Sequence, residues 1–498
     1  MMGSGARLLV TGLASLMLAA CTPAPVVSVP VSERAAIEQR LMADITMLAS
    51  DDFAGRKPGT PGEEKTLAYL ETRMAEVGLV SGTNDPGSYW REPVALVGTR
   101  PLSGQLTLTQ GRKRVVVPAS DAVVFTPRRR AIATSGPGTG VPVVFVGFGD
   151  GSVLGDRLAG AVAVMLADPG RDTMRRNSLF AQRATAVVTV EPDAATLPAA
   201  QSAERVQLAS DEVDTLAAYV TDAALGGVIG QGRWARLKAD AQAPDFAPLE
   251  LNLAVSIEAT AERREFVSSN LLGVIPGNAP GSGAVLVLAH WDHLGECSPA
   301  DAADRICNGA VDNASGLAVM LELARRLKAG APLGRDIYVL ATTAEEAGLL
   351  GVRAFAKQPP QPLSQIVAAF NFDMLALAPA GSPVGYIGRG QGPLDAVILA
   401  ELASSGRGDG DAALADSFVQ RQDGWVLQQQ GVPSVLLSSS YGSRDVLQPF
   451  LGTRYHRPSD EAVQIELGGA VDDLLMHERL IRILADPARY QPSSAPQP

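Results

Sequence analysis

The sequence predicts an α/β protein with a mixed, largely parallel sheet flanked by helices, together with a small β-rich unit inserted in the chain. From Asn270 onward, short apolar runs alternate with amphipathic segments at helical spacing, which is the pattern of strands alternating with helices. These apolar runs are continuous, as expected for parallel strands that are buried on both faces. The length of 498 residues also exceeds one ordinary domain.

Composition narrows the class of protein. Hydrophobic residues make up 46% of the chain and charged residues 19%, so the chain can bury a large core. The net charge is −11 and no long basic run occurs. Nucleic acid is therefore not expected as a partner, because phosphate binding needs clustered lysine and arginine.

The elements follow in a clear order along the chain. Helical periodicity predicts helices over residues 32–50 and from about 63 to 76. Residues 101–255 carry short β-rich runs separated by glycine and proline and contain no histidine, which predicts an inserted unit. Further on, buried strands are predicted at 284–289, 336–341, 366–372 and 434–437, with a helix at 314–328 and terminal helices between 460 and 485.

The N-terminus has the features of an export signal. Arg7 precedes an apolar run from Leu8 to Ala20 that is too short to span a bilayer. The segment ending in Ala20-Cys21 resembles the lipobox of bacterial lipoproteins, which implies cleavage before Cys21 and lipidation of its thiol. Thr22 after the cysteine suggests the outer membrane, facing the periplasm, by resemblance to the lipoprotein sorting rule. Residues 1–20 are thus predicted as signal peptide and 21–31 as tether.

The other two cysteines are predicted to form a disulfide. Cys297 and Cys307 are close in sequence, and an exported compartment is oxidising. Metal ligation and free thiols are the alternatives, but the CxxC spacing of a zinc site is absent.

Acidic and imidazole side chains gather just after the predicted strands, and parallel strands end at one edge of a sheet. Zinc accepts imidazole nitrogen and carboxylate oxygen. Two divalent ions need a shared carboxylate between them, one histidine and one further carboxylate each, and a free carboxylate as general base. The sequence supplies this inventory at His290, Asp312, Glu345, Glu346, Asp373 and His456.

These segments resemble peptidase family M28 in residue type and in order. They read AHWDHLG (289–295), DNASG (312–316), TAEEAG (343–348), NFDM (371–374) and YHRPSD (455–460), and the loop GRKPGT (55–60) matches as well. The resemblance implies a di-zinc exopeptidase with the fold of zinc-dependent peptidases, most simply an aminopeptidase acting on peptides. The sequence does not separate Zn²⁺ from Co²⁺ or Mn²⁺.

The resemblance also implies individual roles. Asp312 would bridge the ions, with His290 and Asp373 completing one site and Glu346 and His456 the other. Glu345 would be the general base. Asp292 would orient His290, and Tyr455 would stabilise the oxyanion. A cis peptide is implied after Asp312, and His293 is interpreted as structural.

The family pattern also implies a domain organisation. Residues 32–100 would begin the peptidase domain, 101–255 would form a protease-associated-like insert bordering the cleft, and 256–490 would form the catalytic domain. In one departure, Gly424 stands where relatives often have histidine. A glutamate-type carboxypeptidase, a glutaminyl cyclase and a non-catalytic binding protein stay open as alternatives on this scaffold, as does the oligomeric state.

Overall fold

The structure, a computed structural model, describes residues 30–84, 89–152, 154–197, 204–211 and 215–492. The predicted signal peptide, the lipidation site Cys21 and most of the tether lie outside these ranges. Within them, no helix is both long enough and apolar enough to cross a membrane.

The helices and strands alternate along the chain much as the sequence predicts. The helices are α1 Val31–Leu48, α2 Pro61–Val77, α3 Asp172–Ala181, α4 Asp222–Ile229, α5 Gln231–Asp240, α6 Gly316–Ala329, α7 Leu350–Lys357, α8 Pro393–Ser404, α9 Ala412–Asp416, α10 Gly424–Gln429, α11 Arg444–Thr453 and α12 Gly468–Leu484. The strands are β1 Val80–Ser81, β2 Arg91–Gln110, β3 Lys113–Val116, β4 Ala122–Phe125, β5 Arg130–Ser135, β6 Val143–Gly147, β7 Val162–Leu166, β8 Ala186–Glu191, β9 Arg205–Leu208, β10 Ala217–Thr221, β11 Leu249–Leu251, β12 Ala254–Ile275, β13 Ala284–His290, β14 Gly295–Glu296, β15 Ile306–Cys307, β16 Asp336–Thr342, β17 Ile366–Asn371, β18 Gly385–Ile387 and β19 Ser434–Ser438.

The main sheet is mixed. Its order through the described chain is β18-β19-β17-β13-β16-β12-β2-β3. The four strands β19, β17, β13 and β16 run parallel to one another, while β18 and β12 flank them antiparallel. The α/β class with a mixed sheet flanked by helices is therefore confirmed, and parallel pairing is concentrated in the strands that lead to the predicted site.

Helices cover the faces of this sheet because each presents an apolar stripe to it. In α6, Leu317, Met320, Leu321 and Leu327 are almost completely buried, together with residues of α1 and α12, in one core cluster. A smaller cluster, which includes Leu286, Leu340 and Phe355, packs on the other side. Burial on both faces explains why β13 reads as an uninterrupted apolar run.

Residues 101–255 enter and leave along two long strands, β2 and β12, which pair antiparallel over most of their length. Both strands continue through the boundaries predicted at 101 and 255. Between them lies a second sheet of order β11-β6-β7-β8-β10-β4, with its own buried clusters. This unit has parallel strands and the helices α3, α4 and α5, so it is α/β rather than purely β-rich.

Candidate metal centre

Three parallel strands deliver the first residues of the site to one edge of the sheet. His290 is the last residue of β13, Glu345 and Glu346 follow β16, and Asp373 follows β17. These strands are neighbours in register, so their carboxyl ends meet at one edge. Asp312 lies in the turn Ala310–Ser315 before α6, and His456 lies in the loop after α11.

Asp312 lies between the two histidines and presents one carboxylate oxygen to each. Its Oδ1 is 3.3 Å from His290 Nε2, and its Oδ2 is 3.4 Å from His456 Nε2. On the first side, Asp373 Oδ1 is 3.7 Å from His290 Nε2. On the second side, Glu346 Oε2 is 3.0 Å from His456 Nε2. The structure thus brings all five predicted ligands together, arranged as two groups that share Asp312.

His293 also belongs to this cluster, although the sequence interpretation made it structural. Its Nδ1 is 2.6 Å from Glu346 Oε1, and together with Asp312 and Glu346 it forms a group close enough to hold one ion. It lies three residues after His290, just beyond the strand end. That proximity in sequence was the available signal for its place in the cluster.

Hydrogen bonds from two distant segments hold the turn that carries Asp312. The Asp460 carboxylate accepts bonds from the backbone amides of Val311 and Asp312 at 3.1 Å. The fully buried Arg56 donates to the carbonyl oxygens of Asn308 and Gly309 just before this turn. It also donates to the carbonyl of Trp291, next to His290. The Asp312–Asn313 peptide is cis.

Asp292 contacts the site differently from the expectation. His290 Nδ1 donates to the backbone carbonyl of Asp292 at 3.1 Å, whereas the Asp292 carboxylate lies 3.9 Å from the same nitrogen. That carboxylate instead accepts hydrogen bonds from the backbone amides of Glu345 and Glu346. Asp292 therefore orients His290 through its main chain and positions the Glu345–Glu346 loop through its side chain.

Two tyrosines border the cluster. The ring of Tyr455 stacks on His456 with centroids 3.8 Å apart. The sequence interpretation missed Tyr441, which is almost completely buried next to the acidic cluster. Burial and the charges of Asp373 and Asp312 raise the pKa of its phenol well above the ordinary value.

The carboxylates and imidazoles shift one another's pKa values strongly. Burial raises the pKa of Glu345 well above its ordinary value, and the neighbouring Asp423 and Glu346 carboxylates add to the increase. Burial lowers the pKa of His456, but Asp312 and Glu346 outweigh it and raise that pKa to about 10. At His290 the neighbouring carboxylates outweigh burial and raise the pKa, and at Asp312 the neighbouring histidines outweigh burial and lower the pKa. Such mutual dependence indicates a site that needs positive charge.

The donor set fits divalent metal ions. His456 Nε2 is buried and has no hydrogen-bond partner in the described chain, although two carboxylates lie within 3.4 Å, which is the geometry of groups that point at a common centre. Because Nδ1 of His290 donates to a carbonyl, its Nε2 is free to bind a metal. Imidazole nitrogen and carboxylate oxygen are ligands that zinc accepts.

The structure explains the glycine at 424. A Cβ atom there would lie 2.5 Å from Ser434 Oγ and 2.7 Å from Gln422 Oε1, closer than van der Waals contact allows. Gln422 Oε1 accepts hydrogen bonds from the backbone amide of Gly424 and from the side-chain amide of Asn371. The preceding Asp423 is buried and accepts a hydrogen bond from Thr342, and burial raises its pKa to about 6.

A disulfide-closed hairpin lies beside the cluster. Cys297 and Cys307 are bonded, with Cα atoms 5.8 Å apart, and β14 pairs with β15 at this bond. A pocket of about 320 Å³ opens next to His293 and Glu346, between the loop at Lys57 and the start of β9.

Fold and site together define a protein built to hold divalent cations at the edge of an α/β sheet. Residues 270–472 match the sequence pattern of peptidase family M28. The matched segment contains every residue of the acidic and imidazole cluster.

The chain resembles several known proteins over shorter or more distant alignments. It is 37% identical over 123 residues to aminopeptidase YwaD of Bacillus subtilis (strain 168), covering 24% of this chain and 25% of the relative. It is 38% identical over 94 residues to the alkaline phosphatase isozyme conversion protein of Escherichia coli (strain K12), covering 18% and 26%. The chain thus spans about a quarter of the length of these curated relatives.

In structure, the chain is similar to the aminopeptidase from Aneurinibacillus sp. strain AM-1. The TM-score is 0.56 at 18% identity, covering 91% of this chain and 95% of that one. At this identity the similarity concerns the fold, and it extends over the inserted unit as well as the main sheet.

Proposed function

We propose that this protein is an exported metallo-aminopeptidase that uses two bound zinc ions to remove N-terminal residues from peptides. The observation that carries the proposal is the position of Asp312, whose two carboxylate oxygens face two different histidines. A carboxylate shared in this way offsets the repulsion between two cations. The names of the relatives, which include an aminopeptidase, support the same activity.

In this proposal His290 and Asp373 would hold one ion, Glu346 and His456 would hold the other, and Asp312 would be shared between them. Cobalt or manganese would be accepted by the same ligands. Bound metal ions lower the pKa of water and polarise a carbonyl oxygen, which is the chemistry that peptide hydrolysis needs.

Residues of the chain would handle the protons. Glu345 would accept a proton on its carboxylate and pass it to the departing amine nitrogen. Its backbone amide is held by the Asp292 carboxylate at 3.0 Å, which keeps the side chain at the site. The Tyr455 hydroxyl would donate a hydrogen bond to the oxygen that gains negative charge, and stacking on His456 orients its ring.

Export and membrane attachment are part of the proposal. The predicted signal segment and Cys21 support lipidation and an outer-membrane location facing the periplasm. The inserted unit would act as a protease-associated-like domain that limits access, since residues at the start of β9 line the pocket beside Glu346.

A hydrolysis screen tests the activity. Free aminoacyl and dipeptide substrates should be cleaved and their N-acetylated forms should not, and a chelator should abolish cleavage. An enzyme that cuts only the acetylated peptides would be a carboxypeptidase, and release of pyroglutamate would indicate a cyclase. Either result contradicts the proposal.

A variant tests the role of Glu345. Glu345→Gln should keep the metal content, because Glu345 is not a proposed ligand, and should lower kcat by about 10²–10⁴-fold. The exposed Glu76→Gln variant is the matched control and should keep both metal and rate. A Glu345→Gln enzyme with a normal rate would remove this residue from the mechanism.

A further inference from the structure

The pocket beside the metal centre is lined by side chains of both charge signs. Asp292, His293 and Glu346, which belong to the acidic cluster, line part of it. Lys57 from the loop after α1, and Glu204 and Arg205 at the start of β9, line it as well. The pocket volume of about 320 Å³ is within the range of small-ligand sites.

Lys57 is the unpaired cation of this pocket. In the part of the chain that the structure describes, no carboxylate lies within salt-bridge distance of its ammonium group. Glu204, which lines the same pocket, is held by Arg264 in two contacts of 2.5 and 3.0 Å, and the charge of Lys57 contributes to lowering its pKa without an ion-pair contact. The neighbouring Arg205 places its guanidinium 3.7 Å over the Phe125 ring in the inserted unit. The positive charge available to a bound molecule is therefore that of Lys57.

The backbone around Lys57 is held by close packing against the disulfide hairpin. A Cβ atom on Gly295 would lie 2.8 Å from Lys57 Cβ and 3.1 Å from its Cδ, so the lysine stem rests directly on the hairpin backbone. A Cβ atom on Gly55, two residues earlier, would lie 2.5 Å from the carbonyl oxygen of Cys307, so this glycine also packs against the hairpin. The hairpin and the loop thus fix where the Lys57 side chain leaves the protein surface.

We propose that Lys57 determines substrate preference by binding a carboxylate group of the peptide, so that the protein favours short peptides with a free C-terminus. The inference rests on the proposed aminopeptidase function and adds the substrate class. The carboxylate-rich cluster attracts the ammonium end of a peptide, and Lys57 pairs with a carboxylate at the other end of the pocket. An acidic side chain in the second or third residue would supply the same chemistry.

The experiment uses the metal-loaded, full-length enzyme and four leucyl substrates. Leucyl-alanyl-alanine is compared with its C-terminal amide, and leucyl-aspartyl-alanine amide with leucyl-asparaginyl-alanine amide. Wild-type kcat/KM should favour the free acid over its amide by about fivefold, the upper range for a partly exposed ion pair, mainly through KM. The second pair of substrates reports whether an acidic side chain is accepted in its place.

Two variants and a control complete the test. Lys57→Met should bring the acid-to-amide ratio close to one, and Lys57→Arg should keep most of the preference. Lys65→Met, an exposed lysine on α2 whose ammonium group donates to the Asp52 carbonyl, should keep the wild-type ratio.

Equal kcat/KM for acid and amide in the wild type, or an unchanged ratio in Lys57→Met, would overturn the assignment. Preference for the aspartyl amide without preference for the free C-terminus would likewise overturn it, because the substrate class would then be acidic peptides. Leucine p-nitroanilide, which has no carboxylate, separates the two proposals. If neither it nor any peptide is cleaved, the proposed function itself fails, and the inference fails with it.

Discussion

Replacing Arg56 should weaken both the fold and the metal centre. This guanidinium is completely buried and donates to four backbone carbonyls, those of Leu48, Trp291, Asn308 and Gly309. It has no salt bridge in the described chain, and burial lowers its pKa to about 10 against the raising effect of Asp312 and Asp460. Its bonds connect the segment after His290 with the segment before Asp312.

The size of the effect follows from these contacts. Arg56→Met leaves several buried carbonyls without donors, each costing about 1–3 kcal/mol, while removal of a buried charge offsets part of the loss. We expect a net decrease of about 3–5 kcal/mol in the free energy of unfolding. Zinc affinity should fall by about 10–100-fold, as for other residues that orient metal ligands. Arg56→Lys keeps the charge, so its stability and its zinc affinity should lie between those of the wild type and those of Arg56→Met. This variant tests the prediction even if Arg56→Met does not fold.

Arg335 provides a matched control. It is almost completely buried and also donates to three backbone carbonyls, those of Ser282, Leu484 and Tyr490, none of which adjoins a proposed ligand. Urea unfolding of the chelator-treated proteins measures stability, and titration against a competing chelator measures zinc affinity. Arg335→Met should lose stability and keep zinc affinity. If the Arg56 variants bind zinc as tightly as the Arg335 variant, our account of Arg56 is wrong.

Three further changes should have distinct results. Asp312→Asn should bind one zinc ion or none instead of two, as measured by elemental analysis, because each carboxylate oxygen of Asp312 faces a different histidine. Two tightly bound ions in this variant would contradict the bridging role. His477 is buried, and burial lowers its pKa to about 4, whereas the pKa in the unfolded chain is near 6.5. Because the unfolded chain then binds a proton more readily than the folded protein, the contribution of neutral His477 to stability is present above pH 6.5 and is lost as the pH falls toward 4. The free energy of unfolding of His477→Gln should therefore decrease less between pH 6.5 and 4.5, by about 2–3 kcal/mol, and an unchanged slope would refute this. Gly424→Ala should cost about 1–3 kcal/mol in urea unfolding because its Cβ would contact Ser434 and Gln422, and a neutral effect would show that these side chains move freely.

Much of the fold was predictable because it depends on local pattern. The continuous apolar run of β13 and the amphipathic stripe of α6 identify a buried strand and a covering helix without any knowledge of their partners. The short β-rich runs separated by glycine and proline located the insert, but they did not locate its boundaries. β2 and β12 pass through them as continuous strands, since their pairing with each other extends from the main sheet into the insert.

The candidate site was predictable in membership but less so in its supporting contacts. The ligands could be named because each follows a strand or opens a helix in a recognisable order. The main-chain bond from His290 to Asp292 and the burial of Tyr441 had no comparable signal, and only the sequence proximity of His293 to His290 pointed to the contact of His293 with Glu346. Each depends on the angle at which a loop leaves its strand.

The sequence alone determined which side chains are available to bind metal and in what order, because chemistry and strand periodicity are written in consecutive residues. Only the tertiary structure decided that Asp312 faces both His290 and His456, that Arg56 connects their loops, and that Lys57 faces the same pocket. These relations join residues far apart in the chain, and their distances are set by how the sheet, the helices and the hairpin pack together.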